Sequence, residues 1–137
     1  MSKQRIGTKI RGLVAERSDH ICEYCRVPEF VGLAQYECDH IISEKQGGLV
    51  DIENLAYCCQ FCNRHKGTNI SSYLGNPPEL LLLFNPRTDI WDDHFYYTED
   101  GIINAKTPVA KGTIFVLVMN DPLWVERRAA HLKNKVM

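Results

Sequence analysis

Near the start of the chain, Ile6, Ile10, Leu13 and Val14 recur at helical spacing, with Lys3, Lys9, Arg11 and Arg17 at positions between them. Apolar residues three and four apart share one face of a helix. Residues 5–19 are therefore predicted as an amphipathic helix with an apolar stripe to cover and a solvated basic face. The period changes at Tyr36, where Tyr36-Glu-Cys-Asp-His-Ile-Ile42 has the β-rich character of a strand. Gln46-Gly47-Gly48 follows as a turn signal, and Asn54–Cys58 suits a second short strand. From Cys59 through Asn63, Arg64, His65 and Lys66 the chain turns into a helix, with Gly67 as its C′ residue. The predicted order is strand, loop, strand, helix.

Asn76-Pro77-Pro78 marks a break. Beyond it, Phe95–Thr98 and Ile102–Asn104 flank Glu99-Asp100-Gly101, whose Asp-Gly is a hairpin turn signal. Thr107-Pro108 starts a helix through about Met119, with Thr as N-cap and Pro at its first position. Asp121-Pro122 repeats that start for a last helix toward Lys135. The runs Leu80–Phe84 and Ile114–Met119 are core-sized and far below the roughly 18 residues needed to span a bilayer. The pattern reads as an α+β protein. Residues 1–75 form a module with an N-terminal helix, and residues 76–137 form an extension that packs on it, giving one compact domain.

Composition narrows the class. The 137 residues are 45% hydrophobic and 24% charged, ordinary values for a soluble globular chain. The N-terminus lacks a signal-peptide core, so a cytoplasmic location and no membrane partner are expected. Lys and Arg number 16 against 17 Asp and Glu, a net charge of −1. That balance excludes a protein that coats nucleic acid by bulk charge. Residues 1–70 hold nine of each sign, so local contact through a small basic rim stays open.

The cysteines change the picture further. Cys22-Glu-Tyr-Cys25 and Cys59-Gln-Phe-Cys62 are two C-x2-C pairs separated by residues 26–58. In a reducing compartment a disulfide framework is not expected. Two such knuckles in a short domain suit one tetrahedral zinc ion with four thiolates. Four thiolates leave no open position, so that zinc is structural. Cys38 and Cys58 are left over and read as small buried hydrophobes.

The elements between and after the knuckles occur in a specific order. They are Glu37-Cys-Asp39-His40, Gly47-Gly48, Asn54-Leu55, and Cys59-x2-Cys62-Asn63-x2-Lys66-Gly67. From about Cys22 to Thr68 this resembles the HNH endonuclease family, the ββα-metal nucleases. The resemblance implies a small ββα-metal zinc module, here with an N-terminal helix and a hairpin-plus-helices extension. It makes His40 the general base, Asn54 the residue that orients it, and Asp39 a carboxylate ligand for a catalytic divalent ion. The third motif position is Asn63 rather than His, similar to the nuclease domain of RNA-guided CRISPR enzymes, where Asn is a metal ligand. His65 lies about 200° further round the helix and is a secondary candidate. Leu83-Phe-Asn-Pro-Arg87 and Trp91-x-Asp-His-Phe95 resemble the extension of a bacterial subset of the family.

The chemistry agrees with these assignments. Phosphodiester hydrolysis needs a base to activate water and a cation to neutralise charge on the phosphate and leaving oxygen. Imidazole suits the first task. A carboxylate and an amide oxygen suit Mg²⁺ or Mn²⁺. Consecutive strand residues point to opposite faces, so Asp39 and His40 share a site only if the strand bends or ends there. Arg64, Lys66 and Lys45 are expected to contact neighbouring phosphates. DNA is the expected partner, with RNA the other nucleic acid the chemistry admits; a homodimer would give paired cuts. The rival readings are a non-catalytic zinc module that binds nucleic acid or protein, and a thiol-redox protein using a C-x2-C pair.

Overall fold

The computed structural model describes residues 6–32 and 34–136. Lys3 and the first residue of the predicted N-terminal helix, Arg5, lie outside the described residues. The first helix, α1, is Thr8–Arg17. Its buried residues are Val14 and Ala15, while Leu13 is 44% exposed. The apolar stripe is thus narrower than predicted, because α1 rests on a two-stranded ribbon that covers only part of its face. Arg17, expected on a solvated face, instead donates to the carbonyls of Ile52 and Leu55 at 2.9 and 2.6 Å. A short helix, α2 (Glu29–Gly32), follows the first cysteine knuckle. The Glu29 carboxylate accepts from the Tyr36 N–H at 2.8 Å and the Tyr57 hydroxyl at 2.6 Å.

Strands β1 (Glu37–His40) and β2 (Leu55–Cys58) pair antiparallel, with Asp39 opposite Ala56 and His40 opposite Leu55. Both are shorter than predicted, because the ladder is interrupted by Asn54. Its backbone carbonyl accepts from the Ile41 N–H, and its side chain takes the Ile42 N–H, each at 2.9 Å. Helix α3 (Gln60–Lys66) begins at Cys59, whose sulfur accepts from the Cys62 N–H, and ends at Gly67 with φ +53°.

The Asn76-Pro77-Pro78 segment is the tip of a hairpin that the sequence reading missed. Strand β3 (Ser71–Leu74) pairs antiparallel with β4 (Glu79–Leu82), so the boundary expected at 75/76 falls inside its turn. Tyr73, Leu80 and Leu82 share the outer face at 65, 68 and 67% exposure, and only Leu83 and Phe84 of the Leu80–Phe84 run are buried. Helix α4 (Trp91–His94) then leads into the Asp-Gly hairpin of β5 (Phe95–Tyr97) and β6 (Ile103–Ala105). Helix α5 (Pro108–Leu117) is capped by Thr107, which accepts from the Ala110 N–H, and stops where Val118 adopts φ +50°. Helix α6 is Pro122–Val136.

The extension grips the first knuckle. Arg87 pairs with Glu23, the Trp91 indole N–H donates to the Tyr24 carbonyl at 2.8 Å, and the Phe84 ring meets the Tyr24 ring edge-on. Thr113 on α5 joins in by accepting from the Phe84 N–H at 2.9 Å. The result is the expected mixture of helices and small antiparallel sheets around one apolar cluster, running from Val14 through Tyr24, Leu55 and Phe84 to Leu117 and Trp124. Among the described residues, no helix is long and apolar enough to cross a membrane.

Gly101 joins the β5–β6 turn to α6. Its φ is +84°, and a Cβ there would run into the Val125 carbonyl and the Ala129 backbone. Gly101→Ala is expected to lower stability by about 1–3 kcal/mol, as overpacking does, read as a shifted urea midpoint. An unchanged midpoint would contradict this packing.

Candidate functional site

The site is assembled from the two cysteine knuckles outward. In the first, the Cys22 N–H donates to the Val27 carbonyl and the Arg26 N–H to the Cys22 carbonyl, closing a tight turn. This aims Cys22 and Cys25 inward. In the second, Cys59 caps α3 and Cys62 lies in its first turn. All four sulfurs are fully buried and lie within 4.8 Å of one another. The Cys25 and Cys59 sulfurs are 3.7 Å apart. A tetrahedron with zinc–sulfur bonds of about 2.3 Å has edges of about 3.8 Å, so the donor set fits zinc. Burial pushes the Cys25 thiol well up, and the neighbouring sulfurs do the same to Cys62. A divalent cation supplies the charge that four clustered thiolates require. Cys58 is buried beside this group but turns its sulfur to the Cys59 carbonyl, as a core residue would; Cys38 is only half-buried.

Tyr24, between the two cysteines of the first knuckle, sends its hydroxyl to Asp39 Oδ2 at 3.1 Å. Asp39 is 5% exposed, and Lys66 Nζ lies 3.1 Å from Oδ2 and 3.4 Å from Oδ1. The same ammonium donates to the His40 carbonyl at 3.0 Å. Burial raises the Asp39 carboxyl above its usual range, against the opposing pull of Lys66, Tyr24 and His40. Lys66 was expected on a phosphate-contacting rim. It is 1% exposed and faces inward, because a buried carboxylate requires a partner.

Strand β1 ends at His40, which still pairs with Leu55. His40 Nε2 is buried without a hydrogen-bond partner, and Glu44 Oε1 lies 3.9 Å away. The Asn54 side chain accepts from the Ile42 N–H and donates to the carbonyls of Ile42 and Leu49, each at 2.9 Å. It therefore fixes the backbone just beyond His40 and spends its hydrogen bonds there, not on the imidazole. Gly48 lets this loop close, since a Cβ would collide with the Ile42 carbonyl and the Asn54 amide.

Asn63 is half-buried on α3, one turn before Lys66 and on the same side of the helix. Asp39 and Asn63 both carry hard oxygen donors, the type that Mg²⁺ and Mn²⁺ take, and Asp39 Oδ1 has Lys66 Nζ at 3.4 Å. His65 turns the other way, with its ring 4.2 Å from that of Phe61 and Nδ1 2.8 Å from the Phe61 carbonyl. Arg64 and Lys45 are exposed. Sequence reasoning missed Tyr24, Glu44 and the inward role of Lys66. A tyrosine inside a C-x2-C pair and a glutamate four residues after His40 were the available signals.

Residues 22–69 match the HNH endonuclease family model. The match begins at the first zinc-type cysteine and ends before β3. No curated protein and no solved structure matched the chain significantly.

Two outcomes are expected. A chelator strong enough to strip zinc unfolds the core, since such binding is worth roughly 10–16 kcal/mol in small zinc peptides; retained tertiary circular dichroism after zinc removal would refute this. Lys66→Met strands a buried carboxylate and costs about 3–5 kcal/mol, and Asp39→Asn added to it restores part of that loss. Additive losses in urea denaturation would dissolve the pair.

Proposed function

We propose, from the premise that residues 22–69 are an HNH endonuclease domain, that the protein is a metal-dependent endonuclease that hydrolyses phosphodiester bonds in DNA. The observation that carries this reading is His40 Nε2, a buried ring nitrogen with no hydrogen-bond partner, at the end of β1 and next in sequence to Asp39. A core histidine normally has both nitrogens satisfied. One left open next to Asp39 in sequence is suited to take a proton from water.

In this reading His40 accepts the proton of the attacking water, and Glu44 at 3.9 Å stabilises the imidazolium that forms. Asn54 is a positioning residue: it locks residues 41–42 so that the imidazole cannot swing with the loop. Asp39 and Asn63 are the residues that would hold a catalytic Mg²⁺ or Mn²⁺, and such an ion would supply charge neutralisation at the scissile phosphate and the leaving 3′ oxygen. Tyr24 and Lys66 keep the Asp39 carboxylate oriented. The exposed Arg64 and Lys45 meet flanking phosphates, so engagement weakens as salt rises. The zinc knuckles take no part in the chemistry beyond holding β1 and α3 together.

A second reading draws on the Lys66–Asp39 pair. An ammonium already neutralises the carboxylate, as expected for a zinc module that binds nucleic acid without cutting it. Plasmid nicking with Mg²⁺ or Mn²⁺ separates the two. Wild-type protein is expected to convert supercoiled DNA to the open circle, and His40→Ala to slow this by about 10²–10⁴-fold, the usual worth of a general base. DNA retention on a gel without turnover in any metal, or equal nicking by wild type and His40→Ala, would replace the nuclease reading with the binding one. A single-stranded RNA substrate run alongside identifies the preferred nucleic acid.

A further inference from the structure

Arg128, on α6, is buried to 1% exposure in the middle of the molecule. Its guanidinium donates to the Gly101 carbonyl at 2.7 Å, the Met119 carbonyl at 3.2 Å, Asn120 Oδ1 at 3.2 Å and the Cys25 carbonyl at 3.3 Å. All four acceptors are neutral. Among the described residues, no carboxylate pairs with it. A buried guanidinium that meets only neutral dipoles is costly, because carbonyls do not replace the counter-charge lost with water. Lys66, the other fully buried cation among the described residues, has Asp39 as its partner, and the half-buried Arg87 has Glu23. Its contact with the Cys25 carbonyl ties Arg128 to the backbone of one of the four clustered cysteines.

A zinc ion with four thiolates carries a net double negative charge in a buried setting. We infer that Arg128 is the counter-charge of the zinc–thiolate centre, so that the C-terminal helix completes a metal site whose ligands all lie in the HNH segment. This rests on zinc occupying the four-cysteine cluster and is independent of whether the protein cuts DNA. Arg26 is no substitute. It follows Cys25 directly, but its guanidinium stacks over the Trp91 ring at 4.8 Å on the partly exposed side. Arg128 reaches the Cys25 backbone from inside. The contact links residues 103 positions apart, which gives α6 a reason to be part of the fold.

The test is zinc affinity, measured on the full zinc-loaded chain by competition with a chromogenic chelator, with metal content determined beforehand. Arg128→Met is expected to weaken zinc binding about 10- to 100-fold, the usual effect of losing an outer partner of a metal site. Arg128→Lys keeps the charge while losing the guanidinium fork, and is expected to retain most of the affinity. Where Arg128→Met does not purify folded, Arg128→Lys and Arg128→Gln carry the comparison, since both offer hydrogen bonds and only one offers charge. Equal affinity for Lys and Gln variants, or wild-type affinity in folded Arg128→Met, would overturn the inference. Zinc-free wild-type protein would overturn it together with the zinc site, whereas loss of nicking alone would bear only on the nuclease reading.

Discussion

Four buried sulfurs drawn from two knuckles, with residues 26–58 between them, are the constraint on which the rest depends. Each of the three sheets has two strands of three or four residues, too small to stand alone in water. Bringing distant knuckles together costs loop-closure entropy, which grows only slowly with loop length. A metal cross-link worth roughly 10–16 kcal/mol exceeds that cost and rivals the stability of a whole domain. With the knuckles joined, β1 and β2 have little freedom left. Tyr24 in the first knuckle then meets Asp39, and the helix that starts at the second delivers Lys66 to the same carboxylate. The four-cysteine cluster therefore determines where Tyr24, Asp39 and Lys66 meet.

The extension depends on the same centre from the other side. Arg87, Trp91 and Phe84 all attach to residues of the first knuckle, and Arg128 reaches the carbonyl of its second cysteine. Helix α5 underlies the β3–β4 hairpin so tightly that a Cβ at Gly112 would strike Ser72. One apolar cluster spans both halves, and polar contacts converging on one short turn join them further, so damage to that turn should propagate in both directions.

Elements that carry their own local chemistry were legible in the sequence. Thr107-Pro108, Asp121-Pro122, Asp100-Gly101 and the two C-x2-C pairs each satisfy backbone groups within a few residues, so their structure follows from local rules. What escaped was decided across the fold. Ser71–Leu74 has weak strand character and its partner follows two prolines, so only pairing defines that hairpin. The stripe on α1 looked wider than the surface it meets. Lys66 has the spacing of a solvated helix residue, and only a carboxylate 27 positions away draws it inside. The four cysteines were legible as a set, because spacing carries that information. The internal arrangement of the candidate site was not, because a side chain's partner is set by burial.

The near-zero net charge takes on a different meaning once partners are known. Asp39 and Lys66 cancel each other inside the protein, and Glu23 and Arg87 do so between the knuckle and the extension. Glu29 is consumed by Tyr36, Tyr57 and His20. These charges enter the formal count without contributing much to the field outside. The potential a nucleic acid would meet at the proposed site is set instead by exposed groups around it, among them Arg64 and Lys45. Internal pairing removes one charge of each sign and leaves the overall balance as it was, so what matters at the proposed site is the local placement of Arg64 and Lys45. Were a nucleic acid to bind there, a few exposed cations would favour contact with a few phosphates over long tracts of backbone.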